Sequence, residues 1–420
     1  QGLFGYSKGT ISNLNVTGKI ETNSDYSGGI AGYSEGDILN CTFGMDGKSI
    51  VVGNDYVGGI AGYSSVSQIG TKDFSNSLKN NGKIKGKKNV GGIFGCSFGS
   101  NEIINMKLEN IGDVEGTENA GGIVGYSVNE INFSDLSSVS NEGSISGISK
   151  IGGIGGNLEG INLKSARISN DGKVTAVKDA GGIAGYSSLF SINQDSEVIN
   201  SGNIEIQECN AGGIIGYIWN PFTAGNSNIE NKGNITANGS DAGGIIGSTT
   251  NDMFIKSKVK ISNEGSIRAL SNVGGILGYG NDANESMNII GGEIVNSGSI
   301  YAENSNAGGI AGLASVITIG SDSKIYNEGT VTAAFNAGGV SGSLSESLIA
   351  ENSAVVINEG NVNAEENNAG GIIGFVGRVI FRLGSRISNK GSVEATGDNA
   401  GGISGESYSI NVVGTAEAKN

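Results

Sequence analysis

The residue types that could do chemistry are few in this sequence. The chain of 420 residues contains no histidine, 41 acidic residues and 26 basic residues, which gives a formal net charge of −15. Without histidine, a serine–histidine–aspartate triad, a histidine-ligated zinc site and an HExxH protease helix are excluded. Binding of nucleic acid requires clustered Lys and Arg to neutralise phosphates. The composition therefore predicts no nucleic-acid partner.

Acidic and basic side chains are scattered along the chain. Parallel β-helix enzymes that cleave polysaccharides place Asp or Glu beside Lys or Arg on one face. The nearest approximations here are Glu365–Glu366 and the acidic and basic residues between positions 252 and 258, and neither group recurs. The one basic patch comprises Lys83, Lys85, Lys87 and Lys88. We interpret the patch as a solvated face and expect no catalytic residue, no cofactor and no metal site.

A glycine-rich motif repeats along the whole chain. The pattern GG[IV]xG recurs at intervals of 29 to 34 residues. Its copies start at Gly28, Gly58, Gly91, Gly121, Gly152, Gly181, Gly212, Gly243, Gly274, Gly308, Gly338, Gly370 and Gly401. A single phosphate-binding loop would not recur in this way, and the spacing differs from GxGxxG. The repeat indicates a solenoid.

A second motif, Asn-x-Gly-x-[Ile/Val], alternates with the first. Its copies begin at Asn80, Asn110, Asn141, Asn170, Asn200, Asn231, Asn263, Asn296, Asn327, Asn358 and Asn389. Each Asn precedes the next double glycine by 11 or 12 residues, whereas the distance from double glycine to Asn varies from 18 to 22. One arc of the repeat is therefore fixed in length, and the other accepts insertions.

The local pattern within each repeat is that of short β-strands. Apolar residues alternate with polar ones, and glycines this frequent would destabilise helices. We predict an all-β fold, a right-handed parallel β-solenoid of about 13 coils of roughly 31 residues, with three short strands per coil. Residues 1–420 are expected to form one continuous solenoid with uncapped ends.

Equivalent positions of successive coils stack in such a fold. The repeated Asn is predicted to form an internal ladder of side-chain hydrogen bonds, and Asn231→Ala should cost about 1–3 kcal/mol. The Gly two residues after each Asn is expected to provide a positive φ for a tight turn. An apolar residue follows the [IV] of several double-glycine motifs at a position expected to face outward. These residues, interpreted as a lateral contact stripe, are Phe4, Val124, Ile215, Ile246 and Leu277.

Aromatic residues are the candidates for surface contacts. A tyrosine column follows the double glycine, with Tyr33, Tyr63, Tyr126 and Tyr186 among its members. Such a column could bind sugar rings or a neighbouring solenoid, or it could stabilise the sheet by stacking. The segment 219–222 holds the only Trp and Pro, and Trp219 and Phe222 are either a recognition site or a corner plug. The longest variable arc, 274–296, carries Asn281 to Glu285 at its tip.

The segments GGIAGYS at 28–34, GGIVGYS at 121–127 and NAGGIIGY at 210–217 resemble the GLUG repeat. This repeat occurs in large bacterial cell-surface proteins, including adhesin-like proteins and the N-terminal region of IgA-specific metalloproteases. The resemblance covers residues 2 to about 405 and implies secretion and an extended β-structured segment. The protease domain of some relatives uses HExxH, which this chain cannot supply.

Three functions follow as hypotheses. The favoured one is a non-enzymatic extracellular or cell-surface structural protein, which acts as an adhesin shaft, a surface spacer or a filament subunit. Its partners would be a longer continuation of the same polypeptide, further copies stacked head to tail, a surface glycan or a host protein. The alternative is an adhesin that binds a glycan or host receptor through loops of the variable arc. A polysaccharide-degrading β-helix enzyme ranks third.

Overall fold

The computed structural model describes residues 1–66, 68–72, 76–99, 102–280, 286–413 and 417–419. The regular elements in these ranges are β-strands that pair in parallel, as in Asn110↔Asn141 and Gly58↔Gly91. The chain forms a β-solenoid of about 13 turns with a repeat of about 31 residues. The predicted all-β parallel solenoid is therefore confirmed, and its right-handedness stays a prediction.

The chain divides into two compact units. Unit 1 comprises Gln1–Ile206 and Ile214–Tyr217, and unit 2 comprises Gln207–Gly213 and Ile218–Asn420. Continuity of one solenoid over residues 1–420 stays a prediction.

The first of three faces, the Asn face, consists of strands that lead up to the repeated asparagine. In unit 1 its strands are Asn15–Val16, Cys41–Phe43, Asn76–Asn80, Met106–Asn110, Ser138–Asn141, Arg167–Asn170 and Ser196–Asn200. In unit 2 they are Ser227–Asn231, Val259–Asn263, Glu293–Asn296, Lys324–Asn327, Val355–Asn358, Arg386–Asn389 and Glu417–Lys419.

The second face, the Gly face, runs from the Asn-x-Gly motif to the double glycine. In unit 1 its strands are Lys19–Glu21, Ser27–Gly28, Ile50–Val52, Asp55–Gly58, Lys83–Gly91, Val114–Gly121, Ile145–Gly152, Val174–Ala176, Lys178–Gly181 and Ile204–Ile206. In unit 2 they are Ala211–Gly212, Ile235–Ala237, Ala242–Gly243, Ile267–Ala269, Val273–Gly274, Ile300–Ala302, Ala307–Gly308, Val331–Ala333, Ala337–Gly338, Val362–Ala364, Ala369–Gly370, Val393–Ala395 and Ala400–Gly401.

The third face, the Tyr face, follows the double glycine. In unit 1 its strands are Phe4–Ser7, Ala31–Ser34, Ala61–Ser64, Gln68–Ile69, Phe94–Ser97, Glu102–Ile104, Val124–Ser134, Gly155–Lys164, Ala184–Ser187 and Phe190–Asn193. The strand Ile215–Ile218 belongs to unit 1 up to Tyr217. In unit 2 the strands are Phe222–Ala224, Ile246–Thr249, Met253–Ile255, Leu277–Gly280, Ser286–Ile289, Ala311–Ile319, Ser341–Ala350, Ile373–Phe381 and Ser404–Val412. A separate pair, Ile11–Ser12 with Ile38–Leu39, lies in unit 1.

Each turn therefore has the three predicted strand-forming faces. On the Gly and Tyr faces a bend divides the strand of many turns into two segments, as between Ile235–Ala237 and Ala242–Gly243. The bends occur where Gly, Ser and Asn interrupt the apolar pattern, because these residues favour turns over extended ladders.

Two columns of β-branched residues form the centre of the core. The Ile or Val after the double glycine is at most 2% exposed at every copy from Ile30 to Ile372. The Ile or Val of the Asn-x-Gly-x-[Ile/Val] motif is at most 1% exposed from Ile84 to Val362. Burial of each such side chain contributes about 1.5–3 kcal/mol to the hydrophobic stabilisation.

The predicted outward apolar stripe is wrong. Its members other than Phe4 are at most 3% exposed, namely Val124, Ile215, Ile246 and Leu277. The chain bends at the double glycine, so the alternation of inward and outward side chains is interrupted there. For example, the consecutive amides of Ile183 and Ala184 both donate to the carbonyl oxygen of Ile214, each at 2.9 Å. Two successive side chains therefore enter the core, while Phe4 is 42% exposed.

No helix in the described part of the chain has the length and apolar character needed to cross a membrane.

Candidate functional site

The repeated asparagine forms a hydrogen-bonded column in unit 1. Its members are Asn80, Asn110, Asn141, Asn170 and Asn200, and each is at most 1% exposed. The side-chain Nδ2 of each of the first four donates to Oδ1 of the next at 2.7–2.8 Å. The same Nδ2 also donates to the carbonyl oxygen of the Gly two residues later, at 2.7–2.9 Å in all five. The column thus joins successive turns and satisfies a buried carbonyl in each.

Unit 2 contains an equivalent column. Its members are Asn231, Asn263, Asn296, Asn327, Asn358 and Asn389, and each is at most 2% exposed. The Nδ2 to Oδ1 distances between successive members are 2.7–2.8 Å. The bonds from Nδ2 to the glycine carbonyl are 2.8–2.9 Å long. The predicted Asn ladder is confirmed, and we call these two columns the first ladder.

The first ladder begins against an aromatic ring. Phe43 lies in register with Asn80 in the preceding turn and is fully buried. A phenyl ring cannot donate to Asn80 Oδ1, which accepts a hydrogen bond from the backbone amide of Gly82 at 3.1 Å. Phe43 therefore closes the end of the polar column with an apolar side chain while the amide oxygen stays satisfied.

The predicted role of the glycine in the Asn-x-Gly motif is wrong in its mechanism. Gly112 and its equivalents do not adopt a positive φ. A Cβ at Gly112 would instead overlap the carbonyl oxygen of Gly82 in the preceding turn. Glycine is therefore needed because stacked backbones approach each other closely. The second glycine of the double glycine is restricted similarly, since a Cβ at Gly92 would overlap the side chain of Asn110.

A second ladder, not predicted from the sequence, lies at the Gly face two residues before the double glycine. In unit 2 its members are Asn272, Asn306, Asn336, Asn368 and Asn399. The Nδ2 of each of the last four donates to Oδ1 of the preceding member at 2.8–3.1 Å. In unit 1 Asn119 Nδ2 donates to Asn89 Oδ1 at 2.7 Å. The recurrent Asn before the double glycine, as in NAGG, was the signal available in the sequence.

The two ladders run in opposite directions. Donors of the first ladder point toward the C-terminal turn, as from Asn327 to Asn358, whereas donors of the second point toward the N-terminal turn, as from Asn336 to Asn306. Side-chain amide dipoles add along one ladder. Because the two columns of unit 2 are opposed, their dipoles offset each other in part.

The second ladder of unit 2 ends on a carboxylate. Asp241 Oδ1 accepts hydrogen bonds from the side chain of Asn272 at 2.9 Å and from its backbone amide at 3.0 Å. Burial raises the pKa of Asp241, and the two bonds from Asn272 act in the opposite direction. The carboxylate can accept both bonds, since every amide of the ladder donates toward it, but burial penalises its charged form.

Tyrosines of the first turns of unit 1 form an aromatic cluster with two stacked pairs. Tyr33 and Tyr63 have ring centroids 4.7 Å apart and planes inclined by 16°. Tyr26 and Tyr56 have centroids 5.0 Å apart and planes inclined by 4°. Tyr63 also meets Tyr26 and Tyr56 edge-on, at 5.7 and 5.9 Å. Because sugars stack on open ring faces, mutual stacking of these faces favours a packing role for the two pairs.

Burial controls the ionisation of this cluster. It raises the pKa of Tyr63 and of Tyr56, and the neighbouring Cys96 contributes in the same direction. Burial also raises the pKa of the Cys96 thiol to about 12. Burial therefore favours the neutral forms of the Tyr56 and Tyr63 phenols and of the Cys96 thiol, which suits side chains that pack against one another.

The other predicted tyrosines lie farther along the same column. Tyr126 has Cys96 and Asn157 as its register partners, so no aromatic ring is paired with it in the adjacent turns. Tyr186 stacks on Tyr217 at 5.7 Å, and Lys150 Nζ lies 4.6 Å from its ring centroid. A contact role for Tyr33, Tyr63, Tyr126 and Tyr186 stays a prediction.

The segment around the only tryptophan divides into a surface residue and a core residue. Trp219 is 53% exposed, and its carbonyl oxygen accepts a hydrogen bond from Asn251 Nδ2 at 2.8 Å. Phe222 is fully buried and lies in register with Met253. Phe222 is therefore the corner plug, and the prediction of Phe222 as a surface contact is wrong because the Tyr-face strand turns its ring inward. The tip of the long arc, Asn281 to Glu285, lies outside the described residues.

Charged side chains pair across adjacent turns. Lys85 and Lys88 lie in register with Glu115 and Glu118, with Nζ to carboxylate distances of 2.6 and 3.2 Å. Two members of the basic patch are thus paired on the surface. Exposed pairs of this kind contribute about 0–1 kcal/mol each. In the described part of the chain, no cluster of three or more Cys, Asp or Glu residues could hold a metal ion.

No family model, curated protein or solved structure matches the chain.

Proposed function

We propose that this chain is a non-enzymatic structural segment of a bacterial cell-surface or extracellular protein, in which it acts as a stiff shaft or spacer. Assembly of copies into a filament belongs to the same proposal. The resemblance of its double-glycine motif to the GLUG repeat supports the location, since those repeats occur in large surface proteins.

The observation that carries the proposal is the Asn ladder. In both units the most regularly repeated polar residue is used for bonds between turns, with donor–acceptor distances of 2.7–2.8 Å. Buried amide bonds in a low-dielectric core strengthen one another and resist separation of the turns. A shaft requires this kind of reinforcement along its length.

Charge placement on the outer surface supports the same role. Several Lys and Arg side chains pair with Glu one turn away, as in Lys173 with Glu205 at 2.7 Å and Lys390 with Glu359 at 2.6 Å. Like charges directly opposite each other would repel, so the alternation of sign permits close stacking of the turns.

Force spectroscopy on the single chain tests the proposal. Pulling on the two termini should give discrete unfolding events that release multiples of one turn, about 110 Å of extended chain each. A variant with Asn327→Ala should unfold at lower force, whereas Asn363→Ala, on the outer surface, should not differ from the wild type. Smooth extension without resistance would contradict a load-bearing role.

Trp219 supports the second candidate, an adhesin that binds a glycan or a host receptor. Its ring is 53% exposed, and its backbone oxygen is anchored by Asn251. Exposed aromatic residues on loops are common in recognition sites.

Fluorescence offers a direct test of this candidate, because the chain contains a single tryptophan. Glycans that bind the protein on a printed glycan array should shift the emission of Trp219 when they are mixed with the protein in solution. Trp219→Ala should abolish binding on the array. Phe254→Ala, which changes a partly exposed aromatic residue of the same unit, is the matched control. Unchanged binding by the Trp219 variant would remove this site from consideration.

A further inference from the structure

Two tyrosine pairs in unit 1 hold phenol rings of successive turns nearly parallel. The centroid distances are 4.7 Å for Tyr33 and Tyr63 and 5.0 Å for Tyr26 and Tyr56, with inclinations of 16° and 4°. The backbone fixes this arrangement, since Tyr33 and Tyr63 are register partners in a parallel pair of strands. The amide of Tyr26 likewise donates to the carbonyl oxygen of Asp55, beside Tyr56, at 3.0 Å.

The rings are also within reach of a small oxidant. Tyr26 is 40% exposed, and Tyr33, Tyr56 and Tyr63 are partly exposed. A fully buried stack would be protected from such a reagent, and isolated surface phenols would couple only by collision. These pairs combine access with a fixed partner.

We infer that Tyr26–Tyr56 and Tyr33–Tyr63 are sites of oxidative dityrosine cross-linking, which would join the first turns of unit 1 covalently. The oxidant is a peroxide acting through a peroxidase or another one-electron oxidant. This inference concerns a modification of the chain and does not depend on the proposed shaft function.

The reaction balances as a two-electron oxidation of each pair. Each phenol gives up one electron and its hydroxyl proton, which leaves a phenoxyl radical with spin density on the carbons ortho to oxygen. Two radicals form one carbon–carbon bond between ortho carbons, and the hydrogen on each of these carbons then moves as a proton to restore the phenol. Two C–H bonds are replaced by one C–C bond. The two electrons and two protons reduce one hydrogen peroxide to two waters.

Proximity decides which tyrosines react. Holding two reactants at contact distance converts a collision between molecules into a step within one molecule, with a large gain in effective concentration. Two other tyrosine pairs of unit 1 are less well arranged, because Tyr186 and Tyr217 are 5.7 Å apart and Tyr6 and Tyr33 are inclined by 43°. Tyr126 has no tyrosine as a register partner.

Peptide mapping of the oxidised full-length chain tests the inference. Trypsin cleaves after Lys19, Lys48 and Lys72, so residues 20–48 carry Tyr26 and Tyr33 while residues 49–72 carry Tyr56 and Tyr63. Treatment with hydrogen peroxide and a peroxidase should yield these two peptides joined, with the loss of two hydrogen atoms per cross-link and with dityrosine fluorescence. The yield per chain should not depend on protein concentration.

Phenylalanine variants provide the controls, because they keep the ring and its stacking but cannot form a phenoxyl radical. Tyr26→Phe and Tyr33→Phe should each lower the yield of the joined peptides, and the double variant should lose them. Tyr126→Phe should leave the yield unchanged, and unfolding the wild type in denaturant should abolish it. Circular dichroism checks that each variant is folded.

Two results would overturn the inference. One is an absence of the joined peptides in the folded wild type while dityrosine forms between molecules. The other is a joined product that persists in the double variant or rises with protein concentration, since neither behaviour is compatible with coupling inside the two stacked pairs.

Discussion

Replacement of Asn327 by alanine removes one member from the middle of the first ladder in unit 2. The side-chain Nδ2 donates to the carbonyl oxygen of Gly329 at 2.8 Å and to Asn358 Oδ1 at 2.7 Å. The side-chain Oδ1 accepts from Asn296 Nδ2 at 2.8 Å. Alanine therefore leaves two acceptors in a fully buried environment without this donor, while Asn296 keeps its bond to Gly298.

The magnitude follows from those two acceptors. Each buried polar group left unsatisfied costs about 1–3 kcal/mol, so Asn327→Ala should lower the free energy of unfolding by about 2–6 kcal/mol. Asn327→Asp keeps the shape but replaces the donor with a second acceptor that faces Asn358 Oδ1. At neutral pH it should therefore be at least as destabilising as alanine, and protonation at acid pH should restore part of the loss.

Chemical denaturation monitored by circular dichroism measures these differences. The matched control is Asn363→Ala, because Asn363 is a partly exposed asparagine on the Gly face of the same unit. The control should change the free energy of unfolding by about 0.5 kcal/mol or less. Equal effects at Asn327 and Asn363, or an Asn327→Asp variant as stable as the wild type, would refute the role of the column as a hydrogen-bonded ladder.

Two further changes test the close stacking of glycine and the carboxylate end of the second ladder. Gly112→Ala should destabilise the protein by about 1–3 kcal/mol or more in a denaturant titration, because the added Cβ would overlap the carbonyl oxygen of Gly82. The control is Gly5→Ala, which should be nearly neutral because a Cβ at Gly5 meets nothing within 4 Å. Equal effects of the two glycine substitutions would contradict the steric explanation. Asp241→Asn should stabilise the protein near neutral pH, because burial raises the pKa of Asp241 and penalises its charged form. Because the pKa of Asp241 is higher in the folded state, the stability of the wild type falls as the pH rises from the unfolded pKa to the folded pKa. The advantage of the variant should therefore vanish in acid. A stability advantage that does not change with pH would contradict this explanation.

The sequence predicts the repeat and the first ladder well because both are written in single residues at nearly constant spacing. Asn80 to Asn389 precede the double glycine by 11 or 12 residues, so stacking of one motif forces stacking of the other. The apolar columns follow from the same register, which places Ile84 on Val114 and Val114 on Ile145.

The features that the sequence does not reveal depend on local backbone geometry. A glycine that permits a positive φ and a glycine that permits close approach look alike in a pattern, so the reason for Gly112 could not be read from its neighbours. The burial of both Ile214 and Ile215 depends on a bend that interrupts the alternation of the strand. Phe222 and Trp219 differ in exposure for the same reason. The second ladder was readable in principle, but Asp241 and Lys150 occupy its position in some turns and hide the periodicity.

Disulfide trapping between neighbouring turns tests the stacked register most directly. In a chain whose native cysteines are replaced, cysteines at Thr332 and Asn363, which are register partners, should cross-link readily under mild oxidation. Adjacent parallel strands place their Cα atoms roughly 4.8 Å apart, within the range of a disulfide. Cysteines at Tyr301 and Asn363, two turns apart, should not cross-link. Failure of the first pair to link, or equal linking of both pairs, would contradict a solenoid in which each repeat is one turn.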